Sequence, residues 1–383
     1  MKKSIANILF IAFIVRFILL LLHNFVFTLP QGEGDANSFE RNAYLLSISD
    51  YQIDVVYYLS HGSKLYELLI SFIYVIFGHY PLILGLFMIL LGVYLVHLVY
   101  KAALYLWNDY KIAHKAAWVT ALFPLLMVES ALTLREVPIM VFMMLGLISF
   151  IKFWKYKQHS KIFGFILFTF IAVLFHSGML FLFIGFIFFI NFNARGNNFF
   201  TRVFSILLVV GVLYFMNQTG IGTSKIGGSF DKSMEMLKTR EQYETKGGSR
   251  YPSWTRLTGG SSDLLKVPVR YITFFFAPLM PWLVRSVWHS IGLIDAFLYL
   301  FMFYYVFKYR RIYKYNDTAK AILFMFLFTA LVFSLGGTNV GTAIRHRAKL
   351  APMLILLAAG MNKKELFFYQ KQNMGYIKYL KQK

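Results

Sequence analysis

The sequence predicts an all-α, polytopic integral membrane protein, and three observations predict it. Of the 383 residues, 58% are hydrophobic and 19% aromatic, with only 15% charged, whereas a soluble globular chain is about 45–50% apolar and about 25% charged. The charges gather in clumps between long apolar runs. Such runs have to be helical, because hydrocarbon offers no partner to an exposed backbone N–H or C=O. No internal repeat and no appended soluble domain is visible, so residues 1–383 read as a single transmembrane domain.

The elements follow from the start of the chain. MKKSIANILFIAFIVRFILLLLHNFVF opens like a signal peptide, but no small-residue cleavage site follows its apolar stretch, so it is expected to stay as the first membrane helix. Ten spans are expected in all, near 5–29, 82–106, 116–133, 137–154, 162–176, 178–192, 203–217, 286–307, 320–336 and 348–361. Several are only about 15 residues long, a length that survives where helix ends face protein or a water-filled cavity. LYELLISFIYVIFG (65–78) and the proline-broken 269–284 are expected as interfacial or re-entrant helices. They belong to two long loops, an acidic one over 30–81 and a basic one over 218–285.

The formal charge of +22 would suggest nucleic acid in a soluble protein. Here it first reports topology, since Lys and Arg collect in short cytoplasmic loops. With both termini placed in the cytoplasm, 22 of the 39 basic residues fall on that side and Arg16 lies within a span. The other 16 are external or at the outer rim, where topology does not ask for them, and no nucleic-acid partner is needed. Cysteine is absent, which removes thiolate chemistry and Cys-ligated metals. GxxxxGK[ST], HExxH, GxSxG and DxD-type patterns are also missing. Chemistry then rests on scattered acids, histidines and arginines, with no metal and no cofactor expected.

Four stretches carry those residues. GDANSFERNAY (34–44) places Asp35, and next Glu40, just beyond the first span, where a carboxylate can take a proton from an arriving hydroxyl. Helical spacing puts Asp35, Phe39 and Asn42 on one face and Glu40 and Tyr44 on another; capping of that helix is the competing role for Asp35. ESALTLREVP (129–138) sets Arg135 beside Glu136 at membrane depth, either facing substrate or stapling the turn by an ion pair. In LFHSGM (174–179), His176 can shuttle a proton, donate to a phosphate or join two helices. In NVGTAIRHRAKLAP (339–352), Arg345, His346, Arg347 and Lys349 ask for an anion, with pairing to Asp35 or Glu40 as the competing explanation. Arg256 and Arg270 are weaker additions. Arg16 and His23 read as snorkelling or helix–helix contacts.

The order of these features resembles membrane glycosyltransferases of the GT-C type: Gly34-Asp35-Ala36 with Tyr44, then LYELLISFIYVIFG, LRE, LFHSG and RHRAKLAP. From Arg135 to His176 the chain is similar to the EpsG and Wzy-like polysaccharide polymerase branch. The resemblance implies a GT-C-like fold and a sugar carried on a polyprenyl phosphate or diphosphate. It implies transfer or repeat-unit polymerisation at the outer face of a bacterial cytoplasmic membrane, in O-antigen, capsule or exopolysaccharide synthesis. Asp35 would activate the acceptor hydroxyl, while Arg345 and Arg347, with Arg135, would neutralise the leaving phosphate. Membrane lipids, a glycan acceptor, and a chain-length regulator or flippase are the partners it implies. Two departures leave polymerase and single-sugar transferase both open: Glu136 stands where that branch more often has an amide, and the RHR cluster is closer to single-sugar transferases. A lipid-linked oligosaccharide transporter is the alternative of another class, against which the polar groups are expected at the outer rim rather than in paired broken helices at mid-membrane.

Overall fold

The computed structural model describes residues 4–49, 53–192, 251, 253–255, 263–278, 284, 286–337 and 339–362, with isolated positions between 203 and 214. The described residues fold into α-helices joined by short turns. Helix α1 (Ala6–Phe25) leads through a kinked turn, Gly32–Ala36, into α2 (Asn37–Ser47), α3 (Val55–Ser60) and α4 (Gly62–Phe77). There follow α5 (Pro81–Trp107), α6 (Tyr110–Leu122), α7 (Pro124–Ser130), α8 (Glu136–Tyr156), α9 (Lys161–Phe175) and α10 (Phe181–Phe192). The remaining helices are α11 (Asp263–Phe276), α12 (Val287–Lys308), α13 (Asp317–Gly336), α14 (Val340–Ala348) and α15 (Ala351–Gly360).

Five helices, α1, α5, α8, α12 and α13, are long and apolar enough to cross a membrane, and α6 with α7 makes a sixth if the pair, bent by 61°, counts as one. These are the helices of a multi-pass membrane protein. The expectation of ten spans is corrected. Apolar content marks more segments than length supports: α9 has 15 residues and α15 has 10, or about 22 and 15 Å at 1.5 Å per residue, against about 30 Å of hydrocarbon. The stretch 177–191 is likewise short. The expected span at 203–217 lies outside the described residues apart from isolated positions.

Proline and capping residues set many of the boundaries. Asp109 accepts the amides of Lys111 and Ile112 to start α6, Asn316 caps α13, and Asn339 accepts from Thr342 to start α14. Pro124 ends α6, and because it has no N–H it leaves the Thr120 carbonyl without its helical donor. Arg16, wholly buried in α1, answers that break: it donates to Ala121 O at 2.9 Å, Thr120 O at 3.5 Å and Ser130 Oγ at 2.8 Å. Gly92 of α5 allows the approach, since a Cβ there would stand 2.5 Å from that of Ser130 and 3.2 Å from Arg16 Nε. Arg16 is thus a helix–helix contact. His23 is a local one, accepting the Leu29 amide at 3.1 Å.

Helix α8 lies at the centre, packed on α5, α7 and α9, with most of its side chains buried. At its far end Lys155 donates to the carbonyls of Tyr105 and Leu106 that close α5, at 2.9 and 2.8 Å, and Trp107 donates to Leu356 O of α15 at 2.9 Å. At its near end Arg135 meets α2 and the end of α9, and Glu136 meets helix α14. α4 packs along α2, and α11 lies against α12, α13 and α14.

Replacing Arg16 by Met leaves the Ala121 carbonyl and the Ser130 hydroxyl short of a donor inside the bundle, and should cost about 2–4 kcal/mol. The expected readout is a lower thermal midpoint of the detergent-solubilised protein. An unchanged midpoint would mean that the bend at Pro124 holds without it.

Candidate functional site

The turn and helix that follow α1, the head of α8 and helix α14 bring the charged groups together. Asn339 starts α14, and Arg345 and Lys349, four residues apart, share its face toward α8. Arg345 donates through Nε to Glu136 Oε1 at 2.6 Å, and through Nη1 to Asp35 Oδ2. Lys349 Nζ lies 3.3 Å from the same Glu136 oxygen, an ion pair outside hydrogen-bonding geometry, and 5.5 Å from the Phe333 ring. The two acids differ in setting: the Glu136 side chain is 1% exposed and that of Asp35 57%. Asp35 does not cap α2, whose first turn follows Ala36 without a side-chain cap.

Electrostatics follow from this packing. Burial works against the charge of Arg345, but Glu136 and Asp35 outweigh it, so the guanidinium is held charged more firmly than usual. Burial pushes the Lys349 ammonium down to about 7, against the attraction of Glu136.

Arg135 and Glu136 part company. Glu136 turns to Arg345 and Lys349, while Arg135 donates to Phe175 O at 3.3 Å and stands 5.9 Å from the Phe39 ring. The ion pair that staples this region is therefore interhelical. His176 ends α9 in extended geometry, and its Nδ1 accepts the Gly178 amide at 3.2 Å. Its ring packs edge-on to those of Phe333 and His346 at 5.0 and 5.2 Å. His176, His346 and Lys349 therefore meet around Phe333 beside the Arg345–Glu136 pair.

Three expected site residues stand elsewhere. Glu40 faces α4, where it accepts from Tyr74 at 2.9 Å and pairs with His79 at 2.7 Å; His79 stacks on Tyr44 with ring centroids 3.8 Å apart. The hydrogen bond and burial together raise the Tyr74 phenol well above its ordinary value, burial being the larger cause. The expected separation into two faces does not carry into the packing: Phe39 meets Tyr66 and Asn42 donates to Glu67 at 2.9 Å, so these residues and Glu40 all meet α4, and Asp35 lies in the turn before α2. Arg347 is fully buried and donates to Phe275 O at 2.7 Å, Ala277 O at 2.6 Å and Gly292 O, with Tyr299 beneath it. Arg270, also fully buried, donates to Leu335 O at 3.1 Å and to Gly337 O, over the Tyr251 ring. Both close helix ends. Arg256 lies outside the described residues.

Two acids that the motifs did not single out lie behind this cluster. Glu129 of α7 and Asp295 of α12 are both fully buried; among the described residues the Glu129 oxygens have no hydrogen-bond partner, while the Leu125 main chain lies by Asp295. A lone acid in PLLMVES or SIGLIDAFLY is a signal the sequence did carry, since an ionisable group inside a membrane helix is expensive. Among the described residues no three His, Asp or Glu side chains converge as a metal site.

No protein-family model and no curated protein matches the chain. What the fold defines is a class: an all-α protein with several helices able to cross a membrane, carrying a cluster of opposed charges where the head of α8 meets α14.

Glu136→Gln should leave Arg345 and Lys349 without their shared buried countercharge. A loss of about 3–5 kcal/mol is expected, read as reduced thermal stability in detergent. Asp35→Asn, at an exposed position, should cost under about 1 kcal/mol; equal losses from the two would show that burial does not set their difference.

Proposed function

We propose that this protein is a membrane glycosyltransferase that takes a sugar or a repeat unit from a polyprenyl phosphate- or diphosphate-linked donor and builds cell-surface polysaccharide. In this reading the Asp35 end faces outward from a bacterial cytoplasmic membrane, with both termini inside. One observation carries it: an exposed carboxylate is paired with an arginine that a buried glutamate anchors, at the end of a set of apolar helices.

The chemistry needs those two groups. Asp35 accepts the proton of the acceptor hydroxyl as its oxygen bonds to the anomeric carbon, and the bond from that carbon to the phosphate oxygen breaks. The departing phosphate takes the electron pair. Arg345 neutralises it once the Asp35 carboxylate swings aside, a bidentate match for which guanidinium is suited. Arg135 and Lys349 add positive charge on either side of Glu136, and His176 and His346 offer hydrogen bonds to the same phosphate. Arg270 and Arg347 support the site through the helix ends they close. The polymerase resemblance, from Arg135 to His176, favours repeat-unit joining over single-sugar transfer.

A lipid-linked oligosaccharide transporter remains the second reading, favoured by the acids Glu129 and Asp295 buried within helices. Product analysis separates the two. Purified protein given a lipid-linked donor and an acceptor should form a new glycosidic bond. A transporter would move the donor across a vesicle without forming one.

Asp35→Asn and Arg345→Ala should each lower that product by about 10²–10⁴-fold, the range for losing a general base or a charge-stabilising group. Full product from both variants would remove the assignment, and loss in Glu40→Gln alone would move the base to Glu40.

A further inference from the structure

Helix α8 carries Glu136 at its head and Lys155 at its tail, and beside that tail α5 ends and α6 begins. At this end, opposite Asp35, α12 finishes on a cluster of three tyrosines. Tyr304 and Tyr305 stand edge to face with ring centroids 5.5 Å apart, and Tyr309 lies 6.2 Å from Tyr305. Two exposed lysines from different helices come to this cluster. Lys308 of α12 donates to the Tyr304 hydroxyl at 2.8 Å and lies 5.7 Å from the Tyr309 ring. Lys115 of α6 stands 5.6 Å from the Tyr305 ring. α6 and α12 both pack on α15, and Lys115 reaches from the first to the second.

Among the described residues neither lysine forms an ion pair. The acids in the stretches 98–117 and 302–322 are Asp109, which accepts the amides that start α6, and Asp317, in the first turn of α13. Two ammonium groups repel, and an aromatic face attracts a cation only weakly at an exposed site. Topology asks for lysines at one end of a bundle, but not for two of them on one ring cluster. Cations that converge without an acid fit an anion between them. What carries the anion follows from α12. Ile294, Phe297, Phe301, Tyr304 and Lys308 recur every three or four residues and share one face. The first four are between 53% and 63% exposed, so an apolar stripe runs along the helix and ends at the ammonium. On α6, Trp118 and Leu122 follow Lys115 at the same spacing and are also exposed. The surface is amphiphilic, and a phosphate without a chain would use only its charged part.

We infer that Lys115 and Lys308, set on Tyr304, Tyr305 and Tyr309, bind the phosphate of an anionic phospholipid whose acyl chains lie along the exposed stripe of α12. Lys308 keeps its hydroxyl partner and has two further N–H groups to give, and Lys115, held by a ring, has three. The tyrosines place both ammonium groups where apolar surface gives way to polar, which is the depth of a headgroup. In the orientation proposed above, that is the inner leaflet. The site does not rest on the transferase reading, since it lies at the other end of the helices from Asp35 and Arg345.

Native mass spectrometry of the detergent-solubilised full chain tests this with three probes: phosphatidylglycerol, phosphatidylcholine with the same acyl chains, and glycerol 3-phosphate. Phosphatidylglycerol should bind about 25-fold more tightly than phosphatidylcholine, the effect of two lysines at about fivefold each near an anionic headgroup. Glycerol 3-phosphate should not be retained. Lys115→Gln and Lys308→Gln should each weaken phosphatidylglycerol binding about fivefold. Lys161→Gln, which removes an exposed lysine from the start of α9 at the same end, should leave it unchanged. Equal binding of the two lipids overturns the inference, as does binding that survives both Lys115→Gln and Lys308→Gln. An equal loss in Lys161→Gln shows diffuse attraction to a basic surface and overturns the site. Glycerol 3-phosphate held as tightly as the lipid overturns the role of the apolar stripe. No binding of phosphatidylglycerol at all overturns the lipid assignment and turns the search to an acidic polypeptide.

Discussion

A helix that breaks within an apolar bundle leaves carbonyls with no donor, and each such carbonyl must find one. Much of this structure is arranged around that constraint. Arg16 supplies the donors at the α6–α7 bend, Lys155 at the end of α5, Arg347 at the end of α11 and Arg270 at the end of α13. Each is a cation at a helix C-terminus, where the aligned peptide dipoles also favour positive charge. An arginine suits the task better than water because its fork reaches several carbonyls at once. Short and bent helices are then stable in this protein because side chains from distant segments complete them.

The same residue type acts differently at α14. Arg345 and Arg347 lie two residues apart on one short helix and so point to different sides. Arg347 reaches into backbone; Arg345 reaches two carboxylates. The second arrangement depends on Glu136, whose burial makes its partners indispensable: removing a countercharge from a buried ion is far costlier than removing one from an exposed pair. Through Glu136, the start of α8 is tied to α14 and the turn after it, and through Asp35 the segment after α1 is tied to both.

The long spans were legible in the sequence because length and apolarity coincide in α1, α5, α8, α12 and α13. The count failed where only apolarity was present, as in α9 and α15, since a short apolar run also serves a helix buried among others. Asp35, Glu136, His176, Arg345 and Lys349 were legible as polar groups out of place, and the structure brings them together. What those charges bind was not, because the partners of Arg270 and Arg347 are main-chain carbonyls contributed by segments far along the chain, and every residue has one. Glu40 illustrates the same difficulty: its partner His79 lies past two whole helices, α3 and α4, and only packing of α2 on α4 joins them. Asp295 was absorbed into an apolar run, and Glu129, although it opens ESALTLREVP, was passed over for the Arg135–Glu136 pair beside it.

The buried cations differ in whether their partners can leave. A carbonyl at a helix end cannot move away without unwinding the helix, so Arg16, Arg270 and Arg347 are committed. Glu136, 1% exposed, is equally held. Asp35, 57% exposed on a turn where Gly34 leaves helical geometry, is the partner that can be exchanged for another anion at small cost. Arg345 therefore has a fixed anchor on one side and a replaceable ligand on the other. A site that must bind an anion and release it needs that combination: an arginine with two fixed partners would admit nothing, and one with none would not stay charged and buried.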